Sequence, residues 1–421
     1  MSSGRVPFIA LLTAATVSQA GTRMSNLAVP WLVLTETGSP VLTGLVGTAE
    51  IAPYVVLQIL GSPLVDRLGG HRVALVGNLV AGLAMAAIPL AWHTGWQQLW
   101  AVLALVFVVG LVRGPADTAA HILLPPVAER AGISIDRATA LSEGALRLAG
   151  LLGAPAAGVL ITVIGPANVV AFDAASFLAC AALLLLVPVG AGLTERNGLG
   201  YLRQLSEGFG FVRRHPLLRS ISGMVLFTNL ADAAMSGVLL LLWAERHYGS
   251  AGRVGVISGV FGAAAVAGTM VMVAIGSRLP RRWTFAVAFL VGGAPRFVVL
   301  ALPAPFAVVL AVWGLSGLTC GAINPVLGAA EYQVIPRALQ ARVLATVNAL
   351  AWAGIPFGAL LAGALVEATG LGTALAVGAV LYLAATLDPF LRRSWDLMNR
   401  PAQVEVAEPD AGDALVGRSP S

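Results

Sequence analysis

Apolar runs of about twenty residues, separated by short polar connections, recur along the whole chain, and a helix of that length crosses a bilayer. Hydrophobic residues make up 58% of the 421 residues and charged residues only 11%, against about 25% in a soluble domain. This composition cannot cover a water-soluble surface of that size. We therefore predict an all-α membrane protein with about twelve transmembrane helices, at roughly 7–34, 41–60, 73–92, 97–120, 138–164, 167–190, 219–243, 254–277, 283–303, 306–331, 343–366 and 371–391.

The positive charges fall on alternate connections. All 25 basic residues are arginine, and nineteen of them lie in the two tails and in every second connection, whereas Arg246 and Arg253 lie on the other side. Because connections rich in arginine stay in the cytoplasm, both termini are expected to be cytoplasmic in a multi-pass protein of the cell membrane. This placement also accounts for the net charge of +5, so no nucleic-acid partner is expected.

Motifs of ATP-driven pumps and of metal enzymes are missing from the sequence. A Walker A phosphate loop needs a lysine, and the chain has none, so energy must come from a gradient or from a partner. The five histidines are scattered, and no HExxH or GxSxG motif occurs. We expect no cofactor, no metal and no catalytic site, with a membrane enzyme or receptor as the least favoured alternative.

One long connection divides the predicted spans six and six. Residues 1–190 are predicted to form an N-terminal six-helix bundle and residues 219–393 a C-terminal one. The connection between them, 191–218, is predicted to be a cytoplasmic linker with an amphipathic surface helix. The tail, 394–421, gains Pro, Asp, Glu and Gly and is predicted to be disordered.

The two predicted bundles repeat each other in sequence. Gly158 and Gly165 recur as Gly363 and Gly370, 205 residues later in both cases, and Pro115 recurs as Pro325. With six spans in each half the repeat is parallel, so the fold is expected to be pseudo-symmetric about the membrane normal. Transporters of this kind bind substrate near the midplane, between halves that rock to alternate access.

Short motifs in both halves resemble the major facilitator superfamily. Residues 64–69, Leu-Val-Asp-Arg-Leu-Gly, resemble its motif between spans 2 and 3, and residues 150–158 are similar to the glycine–proline motif of its antiporters. Other segments are similar to its drug and siderophore exporter branch, which includes macrolide, tetracycline and enterobactin exporters: Ala28–Leu34, Thr37–Pro40, Phe172–Phe177 and Glu207–Leu218.

This resemblance implies a proton-coupled secondary transporter that exports small apolar or amphipathic compounds, such as drugs, antibiotics or siderophore-like molecules, by alternating access. An uptake transporter of the same fold for a defined metabolite is the alternative. The expected partners are a small-molecule substrate, protons and the lipid bilayer, and the chain is expected to be a monomer. The resemblance assigns a cytoplasmic gate to Asp66, Arg67 and Arg72, and the antiporter motif to Gly153, Pro155 and Gly158.

Several positions depart from the family pattern, including the paired basic residues of the loop motif, which fall on Gly70 and His71 with Arg72 displaced by one. Ser62 stands where the loop motif usually begins with glycine, with Gly61 one place early. Asn26 stands where the exporter branch commonly has an acidic residue. If that acid carries protons in relatives, another residue must do so here.

Ionisable residues inside the apolar runs are the candidate functional residues, because each costs about 2.5–3.5 kcal/mol to insert. Arg113 and Asp117, four residues apart, share a helix face. Glu50 and Asp232 have no opposite charge within reach on their own helices. The partner of Glu50 must come from another helix or from water, and Arg23 is the candidate. Glu50, Asp232 and Asp117 are the candidate proton carriers, with purely structural pairing as the alternative. The expected substrate cavity comprises Arg23, Asn26, Glu50, Arg113, Asp117, Phe227, Asp232, Arg296, Trp313 and Trp352.

Overall fold

The computed structural model describes residues 5–95, 98–187, 201–336 and 339–399, and every regular element in these ranges is helical. The long helices of the first half are unbroken, and the longest has 33 residues. Apolar side chains cover most of each helix, as expected where the solvent is lipid. The helices of this half are α1 (Arg5–Thr37), α2 (Pro40–Leu60), α3 (Ser62–Leu68), α4 (Gly70–His93), α5 (Leu99–Arg130), α6 (Ile135–Ile164) and α7 (Pro166–Leu184).

The second half contains shorter helices, because several of its spans are interrupted. A π-helical turn, Met235–Leu239, joins α9 to α10. The helices of this half are α8 (Tyr201–Arg214), α9 (Pro216–Ala234), α10 (Leu240–Tyr248), α11 (Ala251–Ile275), α12 (Arg281–Gly292), α13 (Ala294–Ala301), α14 (Phe306–Cys320), α15 (Ile323–Val334), α16 (Gln340–Trp352), α17 (Ile355–Thr369), α18 (Leu371–Thr386) and α19 (Asp388–Leu391).

Eleven helical segments of the described chain are long and apolar enough to cross a membrane. The remaining predicted span, 7–34, lies within α1, which is more polar because it carries Gln19, Arg23 and Asn26. α1 nevertheless packs along α7 and α6 inside the first bundle. The chain is therefore a multi-pass membrane protein with the predicted all-helical fold.

The linker contains a helix where the sequence predicts one, whereas the tail contains a helix that the sequence does not predict. Within the predicted linker, α8 packs on α16, and residues 188–200 lie outside the described residues. The tail stays ordered beyond 394, because Arg393–Asn399 form a 3₁₀ helix that buries Trp395 completely. The indole of Trp395 donates a hydrogen bond to Asp388 at 2.8 Å. Residues 400–421 of the predicted disordered tail lie outside the described residues.

Two helix pairs join the halves, and they are equivalent under the predicted repeat. α2 packs on α17, and α6 packs on α11. A Cβ on Gly44 would lie 2.3 Å from the carbonyl oxygen of Ala359, and one on Gly158 would lie 2.8 Å from the Cα of Gly255. Glycine is required at these crossings because the two backbones touch.

These crossings lie toward one end of the molecule, where α1 runs into α2, α6 into α7 and α17 into α18. We call it the closed end. A Cβ on Gly363 would lie 2.3 Å from the carbonyl oxygen of Pro40, next to the α1–α2 turn. Further from this end, the hydroxyl of Thr48 still donates a hydrogen bond to the carbonyl of Pro356 at 2.7 Å. The halves therefore meet from the closed end to about the middle of α2.

The predicted repeat is visible in the backbone. Gly165 precedes α7 with φ 83°, and Gly370 precedes α18 with φ 88°. Both values lie in the left-handed region that favours glycine. The α6–α7 and α17–α18 turns of the two halves thus have the same construction.

Three spans of the second half are broken near their middle, and a neighbouring side chain bonds the freed carbonyl at each break. Ser316 donates its hydroxyl to the carbonyl of Gly292. Thr269 donates to that of Gly321 at 3.0 Å. The amide of Asn229 donates to Ala351 at 2.8 Å. Broken helices persist in a membrane where such partners satisfy the backbone.

Candidate functional site

Arg113 of α5 joins two carboxylates in the middle of the first half. Its guanidinium lies 3.6 Å from Glu50 on α2 and 3.5 Å from Asp117, one turn further along α5. Tyr54 donates its hydroxyl to Asp117 at 3.2 Å, and its ring lies 5.3 Å from the Arg113 guanidinium carbon. Glu50 and Arg113 are less than 10% exposed. One cation thus faces two carboxyl groups, so the group has a formal charge of −1 when both are ionised and becomes neutral when one of them binds a proton.

Glycine on α5 brings this cluster together. A Cβ on Gly110 would lie 2.0 Å from the carbonyl oxygen of Glu50, and one on Gly114 would lie 2.7 Å from that of Tyr54. The backbones of α2 and α5 therefore touch. At this separation Arg113, which lies between the two glycines, reaches Glu50 across the helix interface.

The Phe-Asp-Ala-Ala-Ser-Phe motif of α7 packs behind the cluster. Asp173 is 1% exposed, and its carboxylate accepts a hydrogen bond from Ser176 at 3.2 Å. Both side chains fill the space beside Gly21 of α1, where a Cβ would lie 2.2 Å from the Ser176 hydroxyl oxygen. Phe177 lies on the same face, with its ring 5.5 Å from the Arg113 guanidinium carbon. The motif therefore fixes α1 against α7 and supports Arg113.

A second buried arginine lies in the other half. Arg296, in the first turn of α13, forms an ion pair with Asp232 of α9 at 2.5 Å. Its guanidinium also lies 5.6 Å from the Trp313 ring and 5.8 Å from the Tyr382 ring. Asp232 stands one turn before the π-helical segment, and such segments are frequent at functional sites. This pair is fully matched in charge, in contrast to the cluster at Arg113.

A cavity of about 60 Å³ with mixed polar and apolar walls leads away from Asp117 on the side opposite the closed end. It lies among α1, α4, α5, α6 and α7, and its polar walls include Gln19, Asn78, His121 and Ser142. This volume holds several water molecules, since a site for one needs about 10–15 Å³. His121 lies one turn from Asp117 on α5. The sequence contains no signal for this residue, because a lone histidine at the end of an apolar run belongs to no motif.

The remaining residues of the predicted cavity form no ion pair with either arginine cluster in the described part of the chain. Arg23 is exposed and lies against α6, since a Cβ on Gly153 of α6 would be 2.5 Å from the Cβ of Arg23. The expectation that Arg23 pairs with Glu50 is wrong, because Arg113 does so. Asn26, Phe227 and Trp352 are exposed.

The three predicted gate residues, Asp66, Arg67 and Arg72, all lie at the end opposite the closed end and are exposed. None of them forms an ion pair with another residue in the described ranges. A latch between the halves at this end is therefore not formed in this conformation. Their gating role stays a prediction.

The antiporter-like motif lies at a contact between the halves. Pro155 packs on Gly259 of α11, where a Cβ would lie 2.9 Å from the proline ring, and Gly158 meets Gly255 one turn nearer the closed end.

In the part of the chain that the structure describes, no group of three His, Cys, Asp or Glu side chains could hold a metal ion.

Comparison with known proteins identifies the family. The family described as transmembrane secretion effector, within the major facilitator superfamily, matches residues 5–409. The multidrug efflux pump Tap of Mycobacterium tuberculosis is 31% identical over 379 residues, covering 88% of this chain and 89% of that protein. The Tap protein of Mycolicibacterium fortuitum is 30% identical over 411 residues, covering 94% and 99%.

Solved structures share the fold at low identity. A variant of the nucleoside transporter NupG superposes with a TM-score of 0.75 at 13% identity, covering 91% of this chain and 99% of that one. A bacterial homologue of the human lysosomal transporter Spinster, crystallised inward-facing and unoccupied, gives 0.71 at 13% identity, covering 94% and 98%.

Proposed function

Because the chain belongs to the transmembrane secretion effector family of the major facilitator superfamily, we propose that it is a proton-coupled exporter of small apolar or amphipathic compounds. The relatives named multidrug efflux pumps support this substrate class and direction. An uptake transporter of the same fold is the second candidate.

The observation that carries the proposal is the cluster of Glu50, Asp117 and Arg113. Two carboxylates share one buried guanidinium, so the cluster is one proton short of neutrality. Protonation of Glu50 lets Arg113 pair with Asp117 alone, whereas loss of that proton restores the shared arrangement. The charge of the site, and hence its affinity for a cationic substrate, then depends on whether the proton is bound.

The cavity beside Asp117 supplies a route for this proton. It extends from Asp117 past His121 toward the end opposite the closed end. Water that fills it would connect the cluster to the aqueous phase on that side by hydrogen bonds. The crossings of α2 on α17 and of α6 on α11 block the other side, which is the condition that alternating access requires of one state.

The arginine-rich connections support placing the closed end outside the cell. The described conformation is then open to the cytoplasm, where a drug and a released proton exchange. Asp66 would pair across the halves only after that side shuts, as expected for a latch made in one state.

Transport into inverted membrane vesicles with an imposed pH gradient tests the proposal, with cationic dyes as probes and a pH-sensitive dye as the readout of proton movement. Glu50→Gln is expected to abolish gradient-driven accumulation at normal expression. The control Glu143→Gln, which changes an exposed carboxyl group on α6, leaves it intact. Full gradient-driven accumulation by Glu50→Gln contradicts the assignment of Glu50 as the proton carrier. Accumulation by the wild-type protein only with the opposite pH gradient favours uptake.

A further inference from the structure

A second cavity lies outside the transport site, where the linker helix meets the second bundle. It has a volume of about 180 Å³ and lies among α8, α9 and α16. Its walls are almost entirely apolar and include Phe209, Val212, Leu226 and Leu350. We call it the linker pocket. α9 begins at Pro216, at the start of a membrane span, so the pocket lies at the level of the membrane surface.

Two arginines line the linker pocket beside these apolar walls. Arg213, near the end of α8, and Arg219, in the first turn of α9, are both exposed. Neither forms an ion pair with any acid of the described ranges. The nearby Arg342 differs, because it pairs with Glu207 of α8 at 2.6 Å. Two positive charges thus lie beside the linker pocket without an acidic partner among the described residues.

A buried hydroxyl is also left without a partner in the wall of the pocket. Ser222 is 5% exposed, and its Oγ makes no hydrogen bond to any residue that the structure describes. A buried polar atom without a partner is costly and points to a ligand that supplies the bond. It lies one turn further into the membrane span than Arg219.

We propose that the linker pocket binds one anionic phospholipid. Arg213 and Arg219 contact the phosphate, one acyl chain fills the apolar space between α8, α9 and α16, and Ser222 bonds an ester oxygen of the lipid. A water-soluble phosphate has no apolar group that could pack against the apolar walls. A zwitterionic lipid brings its own cation beside the phosphate, and this weakens its attraction to two arginines.

Occupancy of this site would stabilise the linker helix on the bundle. α8 already touches α16 closely, since a Cβ on Gly208 would lie 2.5 Å from the carbonyl oxygen of Arg342. A lipid acyl chain inserted beside this contact joins α8, α9 and α16 into one unit. The lipid thus acts on the interrupted α16–α17 span without entering the transport site, and its binding does not depend on the proposed transport.

Native mass spectrometry of the full-length, delipidated protein in detergent tests the proposal, with phosphatidylglycerol and phosphatidylcholine titrated separately. We expect one phosphatidylglycerol to bind at least about tenfold more tightly than phosphatidylcholine. Arg213→Gln and Arg219→Gln should each weaken it about fivefold, and together about 25-fold. The matched control Arg214→Gln changes a neighbouring exposed arginine that does not line the pocket, and it should leave binding unchanged.

Two further measurements test the contributions of the apolar pocket and of the lipid headgroup separately. Ser222→Leu fills the pocket and is expected to reduce phosphatidylglycerol binding while both arginines remain. Glycerol phosphate, the headgroup without chains, is expected not to displace the lipid at equal concentration. The proposal is overturned if the double arginine variant binds as the wild type does, if phosphatidylcholine binds equally well, or if glycerol phosphate competes.

Discussion

At the residue scale, the distance between α2 and α5 depends on Gly110, whose missing side chain leaves room for the carbonyl oxygen of Glu50. Gly110→Ala is expected to push the helices apart and to lower the free energy of unfolding by about 1–3 kcal/mol. Thermal unfolding of purified protein in detergent measures this. Gly144→Ala is the control, because a Cβ there meets nothing within 4 Å. It is expected to gain up to about 1 kcal/mol from helix propensity. Equal melting temperatures would contradict the close approach.

His215 adds a pH dependence outside the membrane spans. Its Nδ1 accepts the N–H of Leu218 at 3.4 Å and so caps α9, and burial lowers the pKa of the imidazole. Because the pKa of His215 is lower in the folded protein than in the unfolded chain, the folded state binds fewer protons. The free energy of unfolding therefore falls as pH drops below the ordinary pKa of about 6.5, and it stops falling below the folded-state pKa. His215→Asn keeps a capping acceptor but does not titrate. Melting temperatures measured on both sides of this window should fall less on acidification in His215→Asn, and an unchanged pH profile would refute the role.

The sequence predicted the charged residues better than their partners. The four-residue spacing of Arg113 and Asp117 fixes both on one face of α5, and the pair is present. The partner of Glu50 depends on the rotation and depth of a separate helix, which no spacing within α2 contains. Packing at Gly110 decides that register, and a single glycine among 48 carries no distinguishing signal.

At the element scale, the two halves differ in construction. Spans of the first half are single helices, whereas α12–α13, α14–α15 and α16–α17 are each interrupted. Hydropathy predicts the position of these spans, because an interruption of one or two residues does not change the composition. It cannot predict the breaks themselves, which depend on donors from neighbouring helices such as Asn229 and Thr269.

The break between α14 and α15 gives a prediction of its own. Thr269→Val keeps the side-chain shape but removes the hydroxyl, which lies 3.0 Å both from the carbonyl of Gly321 at the break and from that of Ala265 in its own helix. Stability is expected to fall by about 0.5–2 kcal/mol. Thr16→Val is the matched control, because that hydroxyl bonds only the carbonyl of Leu12 in its own unbroken helix. Melting temperatures of the two variants are compared. A larger loss in Thr16→Val would mean that the break does not depend on Thr269.

At the scale of the whole molecule, the repeated glycines and the proposed transport cycle belong together. Gly158 and Gly363 occupy equivalent places in the repeat, and each lets a helix of one half touch the other half near the closed end. At these crossings the backbones of the two halves meet directly. Rocking of the halves, as proposed, requires these contacts to open.

A disulfide across the closed end tests whether that separation is needed for transport. Thr162 of α6 and Gly252 of α11 face each other, since a Cβ on Gly252 would lie 3.2 Å from the threonine hydroxyl oxygen. Cysteines are introduced at both positions after the two native cysteines, Cys180 and Cys320, are replaced by serine. Oxidation is expected to reduce dye transport at least about tenfold by holding this end shut, and reduction restores it, because productive cycling needs both states.

Each single cysteine variant, oxidised in the same way, serves as the control and should transport normally. The extent of cross-linking is measured on the same vesicles, so an unformed disulfide is distinguished from one without effect. The result distinguishes alternating access from a static channel past Asp117, because such a channel needs no opening between α6 and α11. Full transport by fully cross-linked protein would show that substrate crosses without the closed end opening, and alternating access would have to be abandoned.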